Sequence, residues 1–302
     1  MGRIADALKR AEQERRAATG QGLIVEASPF HRASRTDVPT PDLNPSAAPE
    51  ETNGDADTAS VPGMSEALVP YYEPSSLISE QYRSLRTRLL SQNPNYEHRI
   101  LAITSGAPKD GKSVTTLNLG CTLAEIRHLK VLVVDGDFRR SSLGRMLNLP
   151  DSPGLAEVLR GEARYEEVVR RTPIPNLFFI PAGSMENRSA AELFTTKAAR
   201  QTFARMRNEF HYTIVDTPPA TTVSDAGIVG QMCNGVIVLV RMNRTHEALA
   251  KRAVKLLQTN NVPILGCLAI GREAATGGFG YGYGYYYNRY YYEYHRKNPS
   301  KR

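Results

Sequence analysis

A glycine-rich segment at residues 106–113 has the residue types that bind phosphate. It reads Gly-Ala-Pro-Lys-Asp-Gly-Lys-Ser and matches the pattern G-x-x-x-x-G-K-[ST] without a gap. The glycines let backbone N–H groups converge on phosphate oxygens, Lys112 can reach the β- and γ-phosphates, and the Ser113 hydroxyl can bind Mg²⁺. The segment predicts a nucleoside triphosphate site formed by Gly106, Ala107, Pro108, Lys109, Asp110, Gly111, Lys112, Ser113 and Val114.

Three acidic residues follow two apolar runs that are typical of buried strands. Asp135 and Asp137 come after residues 131–134, and Asp216 comes after residues 212–215. Asp135 and Asp137 are two positions apart, so both carboxylates face the same side of an extended chain. Carboxylates beside a phosphate site repel each other unless a divalent cation or a proton lies between them. The pattern predicts acids that hold Mg²⁺ and accept a proton from an attacking hydroxyl, although solvated acidic turns at strand ends are the simpler alternative.

The elements that must position these residues alternate along residues 76–271. Short apolar runs rich in β-branched residues predict strands at 100–104, 131–134, 177–180, 212–215, 236–240 and 264–270. Helical patterns lie between them at 112–127, 190–208 and 246–260. Such alternation predicts an α/β fold of the P-loop NTPase class, with a mostly parallel sheet and helices on both faces. Ligands bind at the carboxyl ends of the strands in this architecture, where the loop and the acids are expected to meet.

Composition divides the chain into four zones. Residues 1–16 carry the apolar stripe of one short helix, which either frays or docks on a partner. Residues 17–75 hold eight of the nineteen prolines and nine acidic residues, and they predict a disordered linker. Residues 76–271 are predicted to be the folded nucleotide domain. Residues 272–302 form a Gly- and Tyr-rich tail that is expected to be flexible.

The tail concentrates nine of the fifteen tyrosines of the chain within fourteen residues. They are Tyr281, Tyr283, Tyr285, Tyr286, Tyr287, Tyr290, Tyr291, Tyr292 and Tyr294. A flexible tail of this length has a root-mean-square reach of roughly 30 Å, so it could deliver many hydroxyls to a phosphotransfer site. The alternative is a low-complexity segment that self-associates or stacks on nucleic acid.

Composition also excludes several classes of protein. No apolar run approaches the roughly 18 residues of a membrane-spanning helix. Cys121, Cys233 and Cys267 match no metal spacing, and a reduced, cytoplasmic setting is the simplest expectation. The net charge of +7 would admit a nucleic-acid backbone as a partner, but a solvated basic surface explains it as readily. No specific nucleic acid is therefore expected.

Together the motifs resemble those of one family, the bacterial tyrosine kinases (BY-kinases) of capsule and exopolysaccharide synthesis. This family is related to the P-loop ATPases of the partition type. The resemblance rests on Gly111-Lys112-Ser113, on Asp135-x-Asp137-x-Arg139 and on Asp216-Thr217-Pro218-Pro219. It covers about residues 76–271 and the tail, so it implies a P-loop fold that carries protein kinase activity.

The resemblance implies roles for the residues of the nucleotide site. Lys112 and Ser113 would bind ATP and Mg²⁺, and Asp137 and Asp216 would serve the metal ion. Asp135 would be the base that takes the proton of the acceptor phenol. The nine tail tyrosines would be the phosphoacceptors of an autokinase that regulates polysaccharide polymerisation or export.

The resemblance also implies partners. Glu80, Arg83 and Arg86 match an E-x-x-R-x-x-R motif through which chains of this family join into a ring. A Glu and an Arg three residues apart can also simply pair on their own helix. The family works with a transmembrane chain-length or activator protein and with a tyrosine phosphatase. The chain is therefore expected in the cytoplasm, at the inner face of the membrane.

Four positions distinguish the chain within this pattern. Ala107 stands where partition-type ATPases carry a second lysine, which favours the kinase branch. Val114 replaces a usual Thr, Ser141 replaces a usual Pro, and Ile270 replaces the Asn that would meet the adenine edge. Two alternatives stay open: an ATPase switch of the partition or positioning class, and an interaction protein with a degenerate nucleotide site.

Overall fold

The computed structural model describes residues 63–186 and 188–271 of the chain. Their helices are α1 (Val69–Tyr72), α2 (Leu77–Ser91), α3 (Lys112–Ala124), α4 (Leu143–Leu147), α5 (Leu155–Arg160), α6 (Tyr165–Val168), α7 (Ala190–Thr195), α8 (Lys197–Glu209), α9 (Asp225–Met232) and α10 (Glu247–Thr259). None of the helices in this part of the chain is both long and apolar enough to cross a membrane. The predicted helix at 1–16 and the tail at 272–302 lie outside the described residues.

The strands of the described residues form one sheet. They are β1 (Arg99–Ser105), β2 (Val131–Asp135), β3 (Arg170–Arg171), β4 (Leu177–Ile180), β5 (Tyr212–Asp216), β6 (Gly235–Arg241) and β7 (Ile264–Ile270). Their order is β3-β4-β2-β5-β1-β6-β7, and all neighbours are parallel except the pair β3–β4. The predicted α/β fold with a mostly parallel sheet is confirmed.

Helices cover both faces of this sheet because its central strands are apolar on both sides. Leu101 and Ile103 of β1 face a cluster that includes side chains of α2, α3 and α4. Ile100 and Ala102 face the opposite cluster, which is built with α5 to α10. Alternate residues of one strand therefore serve two cores, and a continuous apolar run is the sequence pattern that this requires.

The predicted helix over residues 190–208 is wrong as a single element, because the chain divides into α7 and α8 at Thr196. Thr196 is extended, with φ −69° and ψ 159°, and its Oγ1 accepts a hydrogen bond from the Ala199 N–H at 3.1 Å. This N-cap begins α8 anew. The apolar periodicity continues through this break, so the sequence pattern could not reveal where one helix ends and the next begins. The two-residue strand β3 was likewise not predicted.

Residues 63–75 pack on the domain, so the predicted domain start at residue 76 is wrong. Leu68 is fully buried, and Met64 joins the same apolar cluster. The Tyr72 hydroxyl donates a hydrogen bond to the Met64 carbonyl at 3.0 Å. These three residues are spaced four apart, but the surrounding prolines and acids gave the segment the composition of a linker. The rest of the predicted linker lies outside the described residues.

Leu68 provides a test of this corrected boundary. Replacing it by Ala should lower the free energy of unfolding by about 2–5 kcal/mol, because the change leaves a cavity among packed side chains. Val69 is only half-buried, so Val69→Ala is the matched control and should cost much less. Urea unfolding followed by circular dichroism measures both. Equal losses for the two variants, or none at Leu68, would contradict a stabilising role for residues 63–75.

Candidate functional site

The phosphate loop connects β1 to α3 and is held by neighbouring segments. Gly106 lies against the backbone of α10, since a Cβ placed on it would come within 2.9 Å of the Leu249 carbonyl. The Gly106 carbonyl accepts a hydrogen bond from Thr221 Oγ1 at 2.6 Å. Gly111 has a φ of 98°, in the left-handed region that favours glycine, and it directly precedes α3. Both glycines of the motif are therefore required by the backbone.

The loop leads into the N-terminus of α3, where free backbone N–H groups attract anions. Lys112 is the first residue of that helix and is largely buried. Within the loop, Asp110 accepts a hydrogen bond from the Ala107 backbone N–H at 3.1 Å. The other oxygen of Asp110 is buried and has no hydrogen-bond partner among the described residues. One hydrogen bond therefore links two residues within the loop, and Lys112 lies at its helical end, where a phosphate is expected to bind.

The strand order brings the three predicted acids to this loop. Strand β5 lies between β1 and β2, and Asp135 and Asp216 are directly opposite each other in the register of β2 and β5. Asp135 accepts hydrogen bonds from the backbone N–H groups of Ser142 at 2.9 Å and Leu143 at 3.1 Å. Asp137 follows two residues later and is 8% exposed. Three carboxylates therefore share one small, mostly buried region.

Burial makes the facing carboxylates reluctant to ionise. It raises the pKa of Asp135 to about 8, and the negative charge of Asp216 contributes to that rise. Burial also raises the pKa of Asp216 to about 7, although the Ser113 hydroxyl and the charge of Lys112 act in the opposite direction. A positive charge placed beside this pair would favour its ionised form. The two carboxylates are therefore suited to bind a cation or to exchange a proton.

The donor set fits Mg²⁺ when phosphate oxygens complete it. Asp216 Oδ2 accepts a hydrogen bond from Ser113 Oγ at 2.5 Å, and its Oδ1 is buried without a hydrogen-bond partner among the described residues. Within that same part of the chain, no three His, Cys, Asp or Glu side chains are arranged to hold a metal ion by themselves. Mg²⁺ in proteins commonly takes one or two carboxylates together with waters and substrate phosphates. Ser113, Asp137 and Asp216 fit an ion that arrives with the nucleotide.

A fourth buried carboxylate, which the sequence pattern did not indicate, lies beside these acids. Asp225 begins α9 and is 2% exposed. Its Oδ2 lies 3.8 Å from Nε of Arg139, a half-exposed residue in the turn after Asp137. Burial raises the pKa of Asp225, the charge of Arg139 lowers it, and that of Asp137 raises it again. An acid in the first turn of a helix is usually solvent-exposed, so its sequence position gave no indication of this contact.

The ends of β6 and β7 also reach the loop. Ile270 closes β7, and its Cδ1 lies 2.8 Å from the position that a Cβ on Gly111 would take. Arg241 closes β6 and donates a hydrogen bond to the Lys109 carbonyl at 3.3 Å. This side of the loop is therefore apolar at Ile270, where the family pattern has an amide.

The predicted subunit-contact residues lie at the other end of α3. Arg83 on α2 pairs with Glu80 at 2.6 Å and with Glu125 at 2.8 Å. Arg86 pairs with Glu125 at 2.6 Å. We call these four residues the arginine cluster. Glu125 directly follows the 13-residue helix α3, and a helix of that length separates the cluster from the loop by about 20 Å. The cluster cannot reach the nucleotide site of its own chain.

The predicted site residues thus fall into three groups. The structure brings together the phosphate loop and the acids, namely Lys112, Ser113, Asp135, Asp137 and Asp216. It gathers the arginine cluster elsewhere, with Glu125 as a partner that the sequence did not indicate. The nine predicted phosphoacceptor tyrosines lie outside the described residues. The roles assigned to individual acids stay predictions.

The buried acids should make stability depend on pH. In the unfolded chain Asp216 releases its proton near pH 4, whereas the folded chain keeps it until about pH 7. The folded state then binds more protons, so without Mg²⁺ its free energy of unfolding should fall as the pH rises from about 4 to about 7. Asp216→Asn should reduce that fall. Urea titrations in EDTA measure it, with the exposed acid Glu73 replaced by Gln as the control. An unchanged pH dependence in Asp216→Asn would contradict this account.

Comparison with known proteins supports this interpretation of the site. A family model described as an AAA domain matches residues 98–259. The tyrosine-protein kinase YwqD of Bacillus subtilis is 29% identical over 210 residues, which are 70% of this chain and 88% of the relative. The kinase domain of the Escherichia coli tyrosine kinase ETK matches with a TM-score of 0.66 at 27% identity, over 72% of this chain and 84% of that domain. The BceF tyrosine kinase domain gives 0.62 at 31% identity, over 68% and 81%.

The matched region contains the phosphate loop, the three acids and the strands that position them. The site is therefore a nucleotide-binding site of the P-loop type. YwqD, ETK and BceF are all tyrosine kinases by name, which favours the kinase interpretation over an ATPase switch. This chain belongs to the AAA-domain family and, within it, to the bacterial tyrosine kinases.

Proposed function

We propose that the chain is an ATP-dependent autokinase that phosphorylates the tyrosines of its own tail. The observation that carries this proposal is the facing pair of buried carboxylates, Asp135 and Asp216, beside the phosphate loop. A second observation supports the choice of acceptor. Strand β7 ends against the loop, and Tyr281, the first of the nine clustered phenols, follows Gly271 by ten residues.

In the proposed reaction, the phenol oxygen of an acceptor tyrosine attacks the γ-phosphorus of ATP. The bond from that phosphorus to the oxygen bridging the β-phosphate breaks, and ADP leaves with the electron pair. The proton of the phenol passes to Asp135. Asp135 accepts the proton as a carboxylate, the form that a cation beside the buried pair would favour. Lys112 offsets the negative charge of the β- and γ-phosphates.

The hydrogen bonds of the acids support a division of roles. Both oxygens of Asp135 accept backbone N–H groups, Oδ1 from Asp137 and Oδ2 from Ser142 and Leu143, which suits an oriented base better than a metal ligand. Asp216 has one oxygen without such a partner among the described residues. It would hold Mg²⁺ with Ser113 and Asp137, and the ion would supply charge neutralisation to the phosphates.

The spacing of the tail suits delivery of phenols to this site. If residues beyond Gly271 behave as a flexible chain, Tyr281 has a root-mean-square reach of about 17 Å and Tyr294 of about 26 Å. Both distances are comparable with the size of the domain, so a tail can serve its own site or that of a neighbouring chain.

Phosphotransfer is tested by incubating the full chain with Mg²⁺ and ATP and probing for phosphotyrosine. The wild-type chain should become phosphorylated. Lys112→Met should lose the signal by at least about a hundredfold, because a preorganised charge on the phosphates is removed. A chain that ends at Arg272 should show no signal but keep its nucleotide binding, because it lacks the acceptors.

The same assay separates the two neighbouring acids and the competing functions. Asp137→Asn should weaken Mg²⁺-dependent ATP binding, whereas Asp135→Asn should keep binding and lose transfer. ATP hydrolysis without phosphotyrosine would favour the ATPase switch. Absence of both activities, with the cytoplasmic segment of the activator added, would favour a degenerate site.

The arginine cluster is proposed to join chains into a ring. It lies at the far end of α3 from the nucleotide site, so a neighbour bound there could present its own tail or site from outside the chain. Glu125 orients Arg83 and Arg86 side by side, while Arg N–H donors remain for acidic groups of a second chain.

Changing both arginines of the cluster to Ala should shift the chain from an oligomer to a monomer. The reason is that intersubunit ion pairs are lost while the nucleotide site is untouched. Light scattering at micromolar concentration measures the mass. Arg88→Ala, which removes one arginine of α2 outside the cluster, is the control. An unchanged mass in the double variant would exclude this interface.

The proposed cellular role is regulation of polysaccharide polymerisation or export at the inner face of the cytoplasmic membrane. The chain would reach that membrane through a transmembrane chain-length or activator protein, and a tyrosine phosphatase would reverse the modification. The family membership supports this setting. Cells that carry Lys112→Met in place of the natural chain should export polymer of altered length, and an unchanged polymer would contradict the role.

A further inference from the structure

A cavity of about 290 Å³ lies between the loop after β5 and helix α10. Thr221, Thr222 and Ser224 line one side, and Arg252 and Leu256 line the other. Its volume is at the lower end of ligand pockets, so it suits one large side chain better than a whole nucleotide. No step of the proposed phosphotransfer uses it.

The polar groups of this cavity suit an anion. Arg252 is exposed and has no carboxylate within ion-pair distance among the described residues. Ser224 precedes α9 without capping it through its side chain, and the Thr222 hydroxyl also makes no hydrogen bond within that part of the chain. A guanidinium and two hydroxyls can all donate to phosphate oxygens.

The rest of the lining is mostly apolar, with Asn260 as its one further polar side chain. Val223, Leu256 and Leu257 contribute aliphatic surface, and Gly227 adds no side chain. Aliphatic walls suit an aromatic ring, while the arginine and hydroxyls suit a phosphate. An aryl phosphate combines both features in one side chain.

We propose that this cavity binds a phosphotyrosine of the chain's own tail, residues 272–302. The inference rests on the proposed function, because the kinase site makes this ligand. Strand β7, from which the tail continues, packs beside α10, the helix that carries Arg252. If residues beyond Gly271 behave as a flexible chain, Tyr281 has a root-mean-square reach of about 17 Å from Gly271, and more distal tyrosines reach further.

Charge makes this binding depend on phosphorylation. Residues 272–302 carry six cations and two acids, a net charge of +4. Around the cavity, α10 presents Lys251, Arg252 and Lys255 against Glu247, so an unmodified tail is repelled. Each phosphotyrosine adds about −1.5 to −2 charges, and two or three cancel or reverse the charge of the tail.

The cavity also adjoins the phosphate loop. Thr221 lines it and donates the 2.6 Å hydrogen bond to the Gly106 carbonyl. A phosphotyrosine bound in the cavity would therefore contact Thr221, which in turn contacts the phosphate loop. The phosphotyrosine itself would lie outside that loop. The product tail is kept on the domain without occupying the nucleotide site.

The test measures peptide binding to the full-length Lys112→Met chain, which carries no phosphate of its own making. A fluorescent peptide of residues 272–302, phosphorylated or not, is titrated by fluorescence anisotropy. The phosphopeptide should bind at least about tenfold more tightly than the unmodified peptide. Phenyl phosphate should displace it at lower concentration than inorganic phosphate, because only phenyl phosphate also fills the apolar part of the cavity.

Variants locate the binding. Arg252→Gln on the Lys112→Met chain should weaken phosphopeptide binding about tenfold or more. The matched control Lys251→Gln removes the same charge from the neighbouring residue, which is outside the cavity, and should have little effect. Thr222→Val gives a second variant if Arg252→Gln unfolds, as judged by circular dichroism. Equal binding of both peptides, or equal losses in the Arg252 and Lys251 variants, would overturn the proposal.

A separate readout keeps this proposal distinct from the proposed function. The peptide is synthetic, so its binding does not require the chain to be a kinase. Phosphotyrosine formation by wild-type chain decides the kinase proposal alone. In phosphorylated wild-type chain, phosphotyrosines of the tail should be protected from a phosphatase. Loss of this protection in Arg252→Gln would support occupation of the cavity by the tail itself. Protection that is unchanged in that variant would count against it.

Discussion

The burial of Asp135 and Asp216 at facing ends of two strands is the constraint on which the rest of the site depends. Each carboxylate is nearly inaccessible to water, and each lies close enough to the other that both cannot ionise at low cost. Backbone N–H groups of Ser142 and Leu143 offset part of that cost at Asp135, and the Ser113 hydroxyl offsets part at Asp216. A cation and a phosphate change this balance, which is why an otherwise unfavourable pair suits catalysis.

The sheet imposes that constraint through its strand order. With β5 inserted between β1 and β2, the phosphate loop after β1 and the acids after β2 and β5 must lie side by side. Two further contacts fix the loop, since Gly106 packs on the backbone of α10 and its carbonyl accepts the Thr221 hydroxyl. The same loop after β5 that carries Thr221 also forms one wall of the proposed phosphotyrosine cavity. Chemistry and the proposed retention of its product therefore use adjacent surfaces.

The domain separates chemistry from assembly along helix α3. Its N-terminus faces the phosphate loop, and its C-terminus leads to Glu125 and the arginine cluster. About 20 Å of helix separates the two regions, so the ion pairs of the arginine cluster make no direct contact with the nucleotide site. Proposed ring formation and phosphotransfer can then be linked through the tail, whose charge phosphate reverses, rather than through deformation of the site.

The sequence by itself determined the local chemistry. The phosphate loop, the acids and the six main strands follow from residue type and short spacing, because each depends on neighbours in the chain. Tertiary structure alone decided the strand order, the burial of Asp225 against Arg139, the pairing of Glu125 and the packing of Leu68. These depend on contacts between residues far apart in sequence, and no local pattern distinguishes an acid that will be buried from one that will be solvated.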